Sequence, residues 1–175
     1  RREQAAELAS ANLVRCHVVQ LDVTDPAAWQ AAVKQIFAAH SRLDVLVNNA
    51  GTHDDALLAT MKLESWRAVL AVNLDGVFHG CQAVLPAMIA RQWGRIISIT
   101  SGLGMSGAPR GAHYAASKGG INAFIRTAAI ELARERITVN GVEPGYIRTA
   151  AMELLANEEG MAKMAKYIPM GYIGD

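Results

Sequence analysis

Tyr114 and Lys118 lie four residues apart in YAASKGGINAFIRTAAIELARER, a stretch whose apolar residues have helical spacing. Side chains at this spacing share one helical face, so the phenol and the ammonium are predicted to be neighbours. A phenol with its ordinary pKa of about 10 exchanges protons poorly near neutral pH, but a nearby cation lowers that pKa. The pair therefore predicts a tyrosine that exchanges a proton with a carbonyl or an alcohol. Ser101, at the end of an upstream strand, could donate a hydrogen bond to the same oxygen.

This pair is weak evidence when it stands alone. The chain has four tyrosines, and with ordinary lysine frequency a Tyr-x-x-x-Lys spacing arises by chance in roughly one such chain in five. An exposed pair on a helix surface is the simpler explanation. The interpretation therefore depends on the elements that would position the two side chains.

The sequence predicts strands that alternate with helices of crossover length. The strands are nearly all apolar, as expected when helices cover both faces of a sheet. This pattern indicates an α/β fold with a parallel sheet in a single domain over residues 1–175. The predicted strands are 14–20, 43–49, 95–100 and 137–142, and the predicted helices are 1–11, 24–40, 63–72, 75–91, 114–136 and 149–167.

A glycine motif, G-x-G-x-x-G, follows the strand at 95–100 and has the spacing of a dinucleotide phosphate loop. Such a loop also needs a helix that opens inside it and a carboxylate about 20 residues later. Pro109 and Gly111 delay any helix, and GGINAFI, around position 121, carries no carboxylate. We interpret Gly102, Gly104 and Gly107 as a flexible loop that lines a pocket.

The composition is that of an ordinary globular protein, with 51% hydrophobic and 19% charged residues. A formal net charge of +1 gives no electrostatic reason to expect nucleic acid or an anionic membrane as a partner. No uninterrupted apolar run approaches the roughly 18 residues of a membrane span. Cys16 and Cys81 lie far apart and the five histidines share no metal-ligand spacing, so we expect buried thiols, no metal and a cytoplasmic location.

Several motifs, in order across nearly the whole chain, resemble the short-chain dehydrogenase/reductase family and above all its 3-oxoacyl-carrier-protein reductase type. They are NNAG (48–51), VNLDG (72–76), Ser101, YAASK (114–118) and PG (144–145), with LDVTD before them and ITVNGVEPGYIRT around the last. The resemblance implies a Rossmann-type doubly wound parallel sheet with strand order 3-2-1-4-5-6-7. It places the glycine loop and two strands before Arg1 and one strand after the last residue. We therefore expect a chain truncated at both ends, in which the strand at 14–20 lacks its neighbour.

The resemblance also implies roles for individual residues. Tyr114 would be the general acid in reduction and the base in oxidation. Lys118 would lower its pKa and bind the nicotinamide ribose, and Ser101 would position the substrate oxygen. Asn73 would kink its helix and hold a water of the proton relay. The implied cofactor contacts are Asp22 and Val23 at the adenine, Asn49, Ala50 and Gly51 along the adenosine ribose, Tyr114 and Lys118 at the nicotinamide ribose, and Pro144, Gly145, Ile147 and Thr149 near the nicotinamide and pyrophosphate.

Simpler roles exist for several of these residues. Asn48 and Asn49 could be turn residues after a strand. Asn73 could serve in capping or packing, and Asp22 could equally cap the segment that follows it. A packing or solvated role is the expectation for His113, beside Tyr114.

These observations favour an oxidoreductase that interconverts a ketone and a secondary alcohol with NAD or NADP; a 3-oxoacyl thioester is one candidate substrate. Arg1 or Arg2 facing a 2′-phosphate would favour NADP, although a charged helix start explains them equally well. A Met-rich segment at 150–167 suits an apolar substrate or plain helix packing. One alternative is a non-catalytic or decayed nucleotide-binding fragment. Another is an epimerase or dehydratase of the extended branch of the family, although the NNAG motif argues against it.

Two kinds of protein contact are expected. In the family, the helices at about 75–91 and 114–134 build a dimer interface within a tetramer, and both carry apolar residues around most of their circumference here. This predicts a homo-oligomer. An acidic acyl-carrier protein would need a basic docking patch, for which the candidates are Arg91, Arg95, Arg134 and Arg136.

Overall fold

The computed structural model describes residues 17–149, 152 and 156–174. In chain order its elements are α1 (Pro26–His40), β1 (Val45–Asn48), α2 (Leu63–Leu70), a π-helical segment (Ala71–Asp75), α3 (Gly76–Ala90), β2 (Gly94–Ile99), α4 (Leu103–Ser106), α5 (Ala112–Leu132), a 3-10 turn (Ala133–Glu135), β3 (Ile137–Val142) and α6 (Glu158–Ala165).

The three strands form a parallel sheet in the order β1-β2-β3, as the α/β pattern predicts. Leu46 pairs with Ile96, and Ile96 pairs with Val139, so these apolar side chains line one face in register. Met88 of α3 and Ile121 of α5 are buried in the same cluster. The hydrophobic core therefore lies between this face of the sheet and the helices α3 and α5.

The opposite face of the sheet is more open than expected. Burial alternates along β1, and its outward residues Val45 and Val47 are 49% and 53% exposed. Because α3 and α5 pack on the other face, helices on both faces are not what the described residues show.

The predicted strand at 14–20 is not formed in its described part. Residues 17–20 have extended, unassigned backbone, and 14–16 lie outside the described residues, as does the predicted helix at 1–11. A strand is defined by ladder hydrogen bonds to a neighbour. The sheet that the structure describes contains β1, β2 and β3 and does not include residues 17–20.

The two helices predicted at 63–72 and 75–91 are one continuous helix over Leu63–Ala90, with a π-helical segment in the middle. Its most apolar 18-residue window has a mean hydropathy of 1.4, so by length and composition it could span a membrane, contrary to our expectation from uninterrupted runs. Polar residues interrupt the apolar run, but the mean hydropathy of the window stays as high as that of a membrane-spanning helix. Because 44% of that window is buried inside the molecule against the sheet and α5, we treat it as a core helix.

Two loops differ from their predicted form. Residues 103–106 of the glycine motif form the helical turn α4 rather than a wholly irregular loop. Within 149–167 the described helical residues are Met152 and those of α6, and the Asn157 side chain accepts a hydrogen bond from the Gly160 N–H and caps α6 at its start. Residues 150, 151 and 153–155 lie outside the described part of the chain.

Candidate active site

The predicted site residues gather where the parallel strands end. NNAG begins within β1 and continues past its end, Ser101 comes two residues after β2, and Pro144 comes two residues after β3. The Thr100 N–H donates to the Val142 carbonyl and keeps these two chain segments side by side. Loops at the carboxyl edge of a parallel sheet are the usual place for a ligand site.

Tyr114 and Lys118 lie in the first two turns of α5, and the structure brings them together. The Lys118 Nζ lies 5.7 Å from the centroid of the Tyr114 ring. The ammonium also donates a hydrogen bond of 2.7 Å to the Ile99 carbonyl, and the residue is only 6% exposed. Burial lowers the pKa of Lys118. The last carbonyl of β2 therefore fixes a buried cation beside the phenol.

Ser101 and His113 are two further polar residues near the carboxyl end of β2 and the start of α5. The Ser101 Oγ accepts the Leu103 N–H at 3.3 Å, which leaves its own hydroxyl proton for another oxygen. His113 is fully buried, and its Nδ1 accepts the Tyr114 N–H at 2.9 Å. The first N–H groups of a helix have no intrahelical partner, and Gly111 offers no side-chain cap, so His113 supplies the acceptor. The predicted packing role thus includes a specific bond to Tyr114.

Asn73 lies in the π-helical segment, with no exposed surface. Its Oδ1 accepts the Thr52 N–H at 2.8 Å, while its Nδ2 donates to the Thr52 carbonyl at 3.0 Å and to the Ser117 Oγ at 3.1 Å. The helix is distorted where the resemblance implies a kink. Asn73 thereby ties the loop after β1 to α5, which carries Tyr114; the relay water stays a prediction.

The residues predicted at the adenosine end line two adjoining cavities. One, of about 340 Å³, is lined by Gln20, Leu21, Asp22, Val23, Ala50, Gly51 and Val72. The other, of about 200 Å³, shares Val23 and Ala50 and includes Asn48 and Asn49. The Asp22 carboxylate accepts the backbone N–H and the hydroxyl of Thr24, and these bonds lower the pKa of Asp22. Asp22 thus makes the turn contact of the simpler interpretation while it borders the cavity.

The four residues predicted at the nicotinamide end are not part of either cavity lining: Pro144, Gly145, Ile147 and Thr149. Ile147 forms a parallel bridge with Gly174. The Thr149 Oγ accepts the Met152 N–H at 3.2 Å. The structure therefore joins the adenosine-side residues to one another but does not bring these four into contact with them.

Three residues that contact Tyr114 or Asn73 were not predicted from the sequence. The His53 ring packs edge-on against the Tyr114 ring with centroids 5.2 Å apart. Thr52 and Ser117 are the hydrogen-bond partners of Asn73. The signals were present, because Thr52 and His53 directly follow NNAG and Ser117 lies inside YAASK.

The described residues contain no group of three or more metal-ligand side chains. Cys81 is a buried free thiol, as predicted, and burial raises its pKa to about 11. It lies too deep and is too weakly acidic to serve as a nucleophile. Cys16 lies outside the described residues.

A buried ammonium beside a phenol, with a serine hydroxyl at the same edge of a parallel sheet, is an arrangement suited to proton exchange with a substrate oxygen. The family model for short chain dehydrogenases matches residues 1–160. The chain belongs to the short-chain dehydrogenase family, and the parallel α/β sheet agrees with the Rossmann-type fold.

Curated relatives share this similarity over most of the chain. The 3-oxoacyl-[acyl-carrier-protein] reductase of Thermotoga maritima is 43% identical over 154 residues, which are 88% of this chain and 62% of the relative. The enzyme of that name from Synechocystis is 44% identical over 89% of this chain and 62% of the relative. The Haemophilus influenzae reductase is 38% identical over 99% of this chain and 72% of the relative. The match with the first two relatives thus spans a little under two thirds of their length.

Proposed function

We propose that the protein is an NAD(P)-dependent oxidoreductase that interconverts a ketone and a secondary alcohol, with Tyr114 as general acid and base. The observation that carries this proposal is the Lys118 ammonium, fixed by the Ile99 carbonyl 5.7 Å from the Tyr114 ring. A cation there stabilises the phenolate left when the phenol gives up its proton. Ser101 follows the same strand end and offers its hydroxyl to the substrate oxygen.

The described residues fit the adenosine half of a nicotinamide cofactor. The cavity of about 340 Å³ at the strand ends is bordered by a carboxylate, Asp22, and by the small residues Ala50 and Gly51. Small residues allow a ligand to approach the backbone. Asp22, Val23, Asn49, Ala50 and Gly51 would hold this half, and Lys118 the nicotinamide ribose, with Pro144, Gly145, Ile147 and Thr149 nearby. When bound, the reduced cofactor supplies the hydride and the oxidised cofactor accepts it.

The chain itself supplies orientation and the proton. In reduction, the carbonyl oxygen accepts hydrogen bonds from the hydroxyls of Ser101 and Tyr114. The Tyr114 proton then moves to this oxygen, and Lys118 stabilises the phenolate. In oxidation the phenolate takes the proton back from the alcohol. Asn73 acts by holding the Thr52 loop against α5 through Ser117.

For the substrate we propose a 3-oxoacyl thioester, because the relatives are named 3-oxoacyl-[acyl-carrier-protein] reductases. The arginines expected to dock the carrier do not support this. Arg95 and Arg136 lie at the amino ends of β2 and β3, opposite the edge that bears Ser101. Arg91 pairs with Asp44 at 3.0 Å. For the cofactor we propose NADP or NAD; Arg1 or Arg2, which lie outside the described residues, would favour NADP if either faced a 2′-phosphate, although a charged helix start explains them equally well.

We further propose a homo-oligomer in the cytoplasm. An apolar groove of about 240 Å³ runs between α3 and α5, lined among others by Phe78, Leu85 and Phe124. Phe78 is 46% exposed at its edge. A second copy would cover this apolar surface. The free thiol of Cys81 agrees with a reducing compartment.

The test is a Tyr114→Phe variant of the protein as its gene encodes it, with Tyr167→Phe as the control because Tyr167 is 87% exposed. We expect Tyr114→Phe to lower kcat for reduction of a 3-oxoacyl thioester by about 10³-fold, within the range for a lost general acid. Tyr167→Phe keeps wild-type turnover. NADPH and NADH are compared by absorbance. Full activity of Tyr114→Phe would overturn the assignment, and an inactive wild type would favour the non-catalytic alternative.

A further inference from the structure

His113 is a buried polar side chain to which the proposed chemistry gives no role. It lies in the first turn of α5, directly before Tyr114, and its exposed fraction is 0%. Apolar residues usually fill such positions, because burial of a polar ring costs free energy unless the ring is hydrogen-bonded. His113 has such a bond, since its Nδ1 accepts the Tyr114 N–H at 2.9 Å. This bond to the candidate general acid distinguishes His113 from a residue that only fills space.

The start of α5 offers few acceptors for its first N–H groups. These groups have no partner within a helix, and a side chain at the N-cap usually accepts one of them. The N-cap of α5 is Gly111, which has no side chain to do so. The first backbone bond of the helix runs from the Ala115 N–H to the Gly111 carbonyl at 2.8 Å. The N–H of Tyr114 comes one residue before this bond and needs another acceptor.

The carbonyl four residues before Tyr114 is engaged elsewhere. It belongs to Arg110 and accepts the Ala56 N–H of the β1–α2 loop, residues 49–62, at 3.0 Å. Arg110 has a left-handed backbone with a φ of 65°, a conformation that persists where the surrounding contacts hold it. Because the loop occupies the Arg110 carbonyl, His113 supplies the acceptor for Tyr114. The loop and the helix are thus joined at this turn while the Tyr114 N–H keeps a partner.

The burial of His113 also constrains the rotation of α5 about its axis. Successive residues of an α-helix point about 100° apart around that axis. With His113 packed in the interior, Tyr114 therefore points to a different side. On that side its ring centroid lies 5.7 Å from the Lys118 Nζ. A ring that is both packed and hydrogen-bonded at the helix start thus constrains the direction of the phenol.

We propose that His113 is a positioning residue for proton transfer, whose Nδ1 holds the Tyr114 amide and so fixes the direction of the phenol; this rests on the proposed function. His113 acts through Tyr114 and touches no reacting atom. Without the acceptor, the first turn of α5 shifts and carries the phenol with it. The shift stays small, because Lys118 remains bound to the Ile99 carbonyl one turn later. A displaced proton donor slows the chemical step, which depends on precise alignment.

The test uses three variants of the protein as its gene encodes it, which separate the acceptor from the packing. His113→Asn keeps an acceptor at about the distance of Nδ1 from the backbone, His113→Gln moves the polar groups one bond further out, and His113→Leu has no acceptor. We expect His113→Leu and His113→Gln to lower kcat for reduction of a 3-oxoacyl thioester about tenfold, less than the roughly 100-fold loss from a misplacement of about 1 Å. The KM for the thioester and for NADPH should stay unchanged, and His113→Asn should restore kcat.

Ile121→Val is the control for a loss of packing in the same helix. Ile121 is 1% exposed and lies about two turns after Tyr114. Its truncation should lower the stability of the protein and leave kcat at the wild-type value. The control thereby separates a general loss of stability from a displaced phenol.

Exchange of the Tyr114 amide proton with solvent gives a readout that does not depend on turnover. Labelling with ¹⁵N-tyrosine isolates the tyrosine amides in NMR spectra, and the Tyr114 signal is identified by its loss in Tyr114→Phe. We expect exchange to be slower in wild type and His113→Asn than in His113→Leu and His113→Gln, because a hydrogen bond protects the amide.

Three results would contradict the proposal: wild-type kcat in His113→Leu and His113→Gln, a kcat of His113→Asn as low as that of His113→Leu, or equal exchange of the Tyr114 amide in all of these proteins. If the wild type is inactive and exchange follows the expected order, the proposed function fails while the bond between His113 and Tyr114 stands.

Discussion

At the scale of the residue, Lys118 and His113 define the surroundings of Tyr114, and they do so in different ways. Lys118 is fixed below the phenol by the Ile99 carbonyl, and His113 binds the Tyr114 amide rather than its hydroxyl. The ring position is therefore set by the helix start, while the charge near the ring is set by Lys118. Placing a cation in a buried site has a free-energy cost, which appears as the lowered pKa of Lys118.

This cost predicts how stability depends on pH. The pKa of Lys118 lies below its ordinary 10.5 in the folded protein, so between the two values the unfolded chain binds more protons. Stability therefore rises with pH across this interval. We expect the free energy of unfolding of wild type, relative to Lys118→Met, to increase as denaturant titrations move from neutral pH towards pH 10.5.

Lys34→Met is the matched control for this prediction, because Lys34 is exposed on α1. Its stability difference from wild type should stay constant over the same pH range. A difference for Lys118→Met that stays constant or falls with pH would contradict the prediction.

At the scale of the element, two features position the loops of the candidate active site: the close approach of α4 to α5 and the π-helical segment. The α4 turn presses Gly104 against the backbone of α5, so that a Cβ on Gly104 would lie 2.7 Å from the Gly119 nitrogen. The π-helical segment turns Asn73 towards Thr52 and Ser117. Both contacts fix loops after the strands against the helix that carries Tyr114.

Gly104→Ala is expected to lower kcat about 100-fold, the loss that a misplacement of about 1 Å causes. The new methyl group would push α4, and with it Ser101, away from α5. Gly111→Ala is the control in the same loop, because its Cβ would meet the carbonyl oxygen and the Cβ of Ala108 at the ordinary contact distances of 3.6 and 3.8 Å. Steady-state kinetics measure both, and equal activity of the two variants would refute the role of the close contact.

Asn73→Ala should lower the free energy of unfolding by about 1–3 kcal/mol, because it leaves buried hydrogen-bonding groups without partners. The groups affected are the backbone of Thr52 and the Ser117 hydroxyl. Asn140→Ala, at an exposed position of β3, should change stability far less. Urea unfolding monitored by circular dichroism decides between them; similar losses in both variants would show that the Asn73 bonds contribute little.

At the scale of the whole molecule, one face of the sheet and the helices above it form the core, and an apolar groove remains between α3 and α5. Exposure of such an apolar groove to water is unfavourable, and surfaces of this kind often mark an interface with another protein. If a second copy of the chain covers the groove, the exposed side chain of Phe78 becomes buried in the interface between the two copies.

Phe78→Asp is therefore expected to shift the protein to a smaller assembly, because a carboxylate in an apolar interface loses its hydration. Light scattering after size-exclusion chromatography measures the mass. Gln35→Asp adds the same charge at an exposed position of α1 and should leave the mass unchanged. An unchanged mass of Phe78→Asp would place any interface elsewhere.

Local periodicity accounts for most of what the sequence predicted. The strands at 95–100 and 137–142 and the helix at 24–40 formed within one or two residues of their predicted bounds, because alternation and helical spacing are properties of neighbouring residues. The contact between Tyr114 and Lys118 was predicted for the same reason. The predicted strand at 14–20 is not formed in its described part, 17–20, because a strand also needs ladder hydrogen bonds to a neighbouring strand.

The sequence by itself determined the parallel α/β pattern and the phenol–ammonium pair, since both depend on spacing within single elements. Only the tertiary structure decided that His53 contacts Tyr114, that Asn73 binds Thr52, and that Gly104 touches α5. These contacts join separate elements. They depend on how the loops after parallel strands converge at one edge of the sheet, and no local period in the chain encodes that convergence.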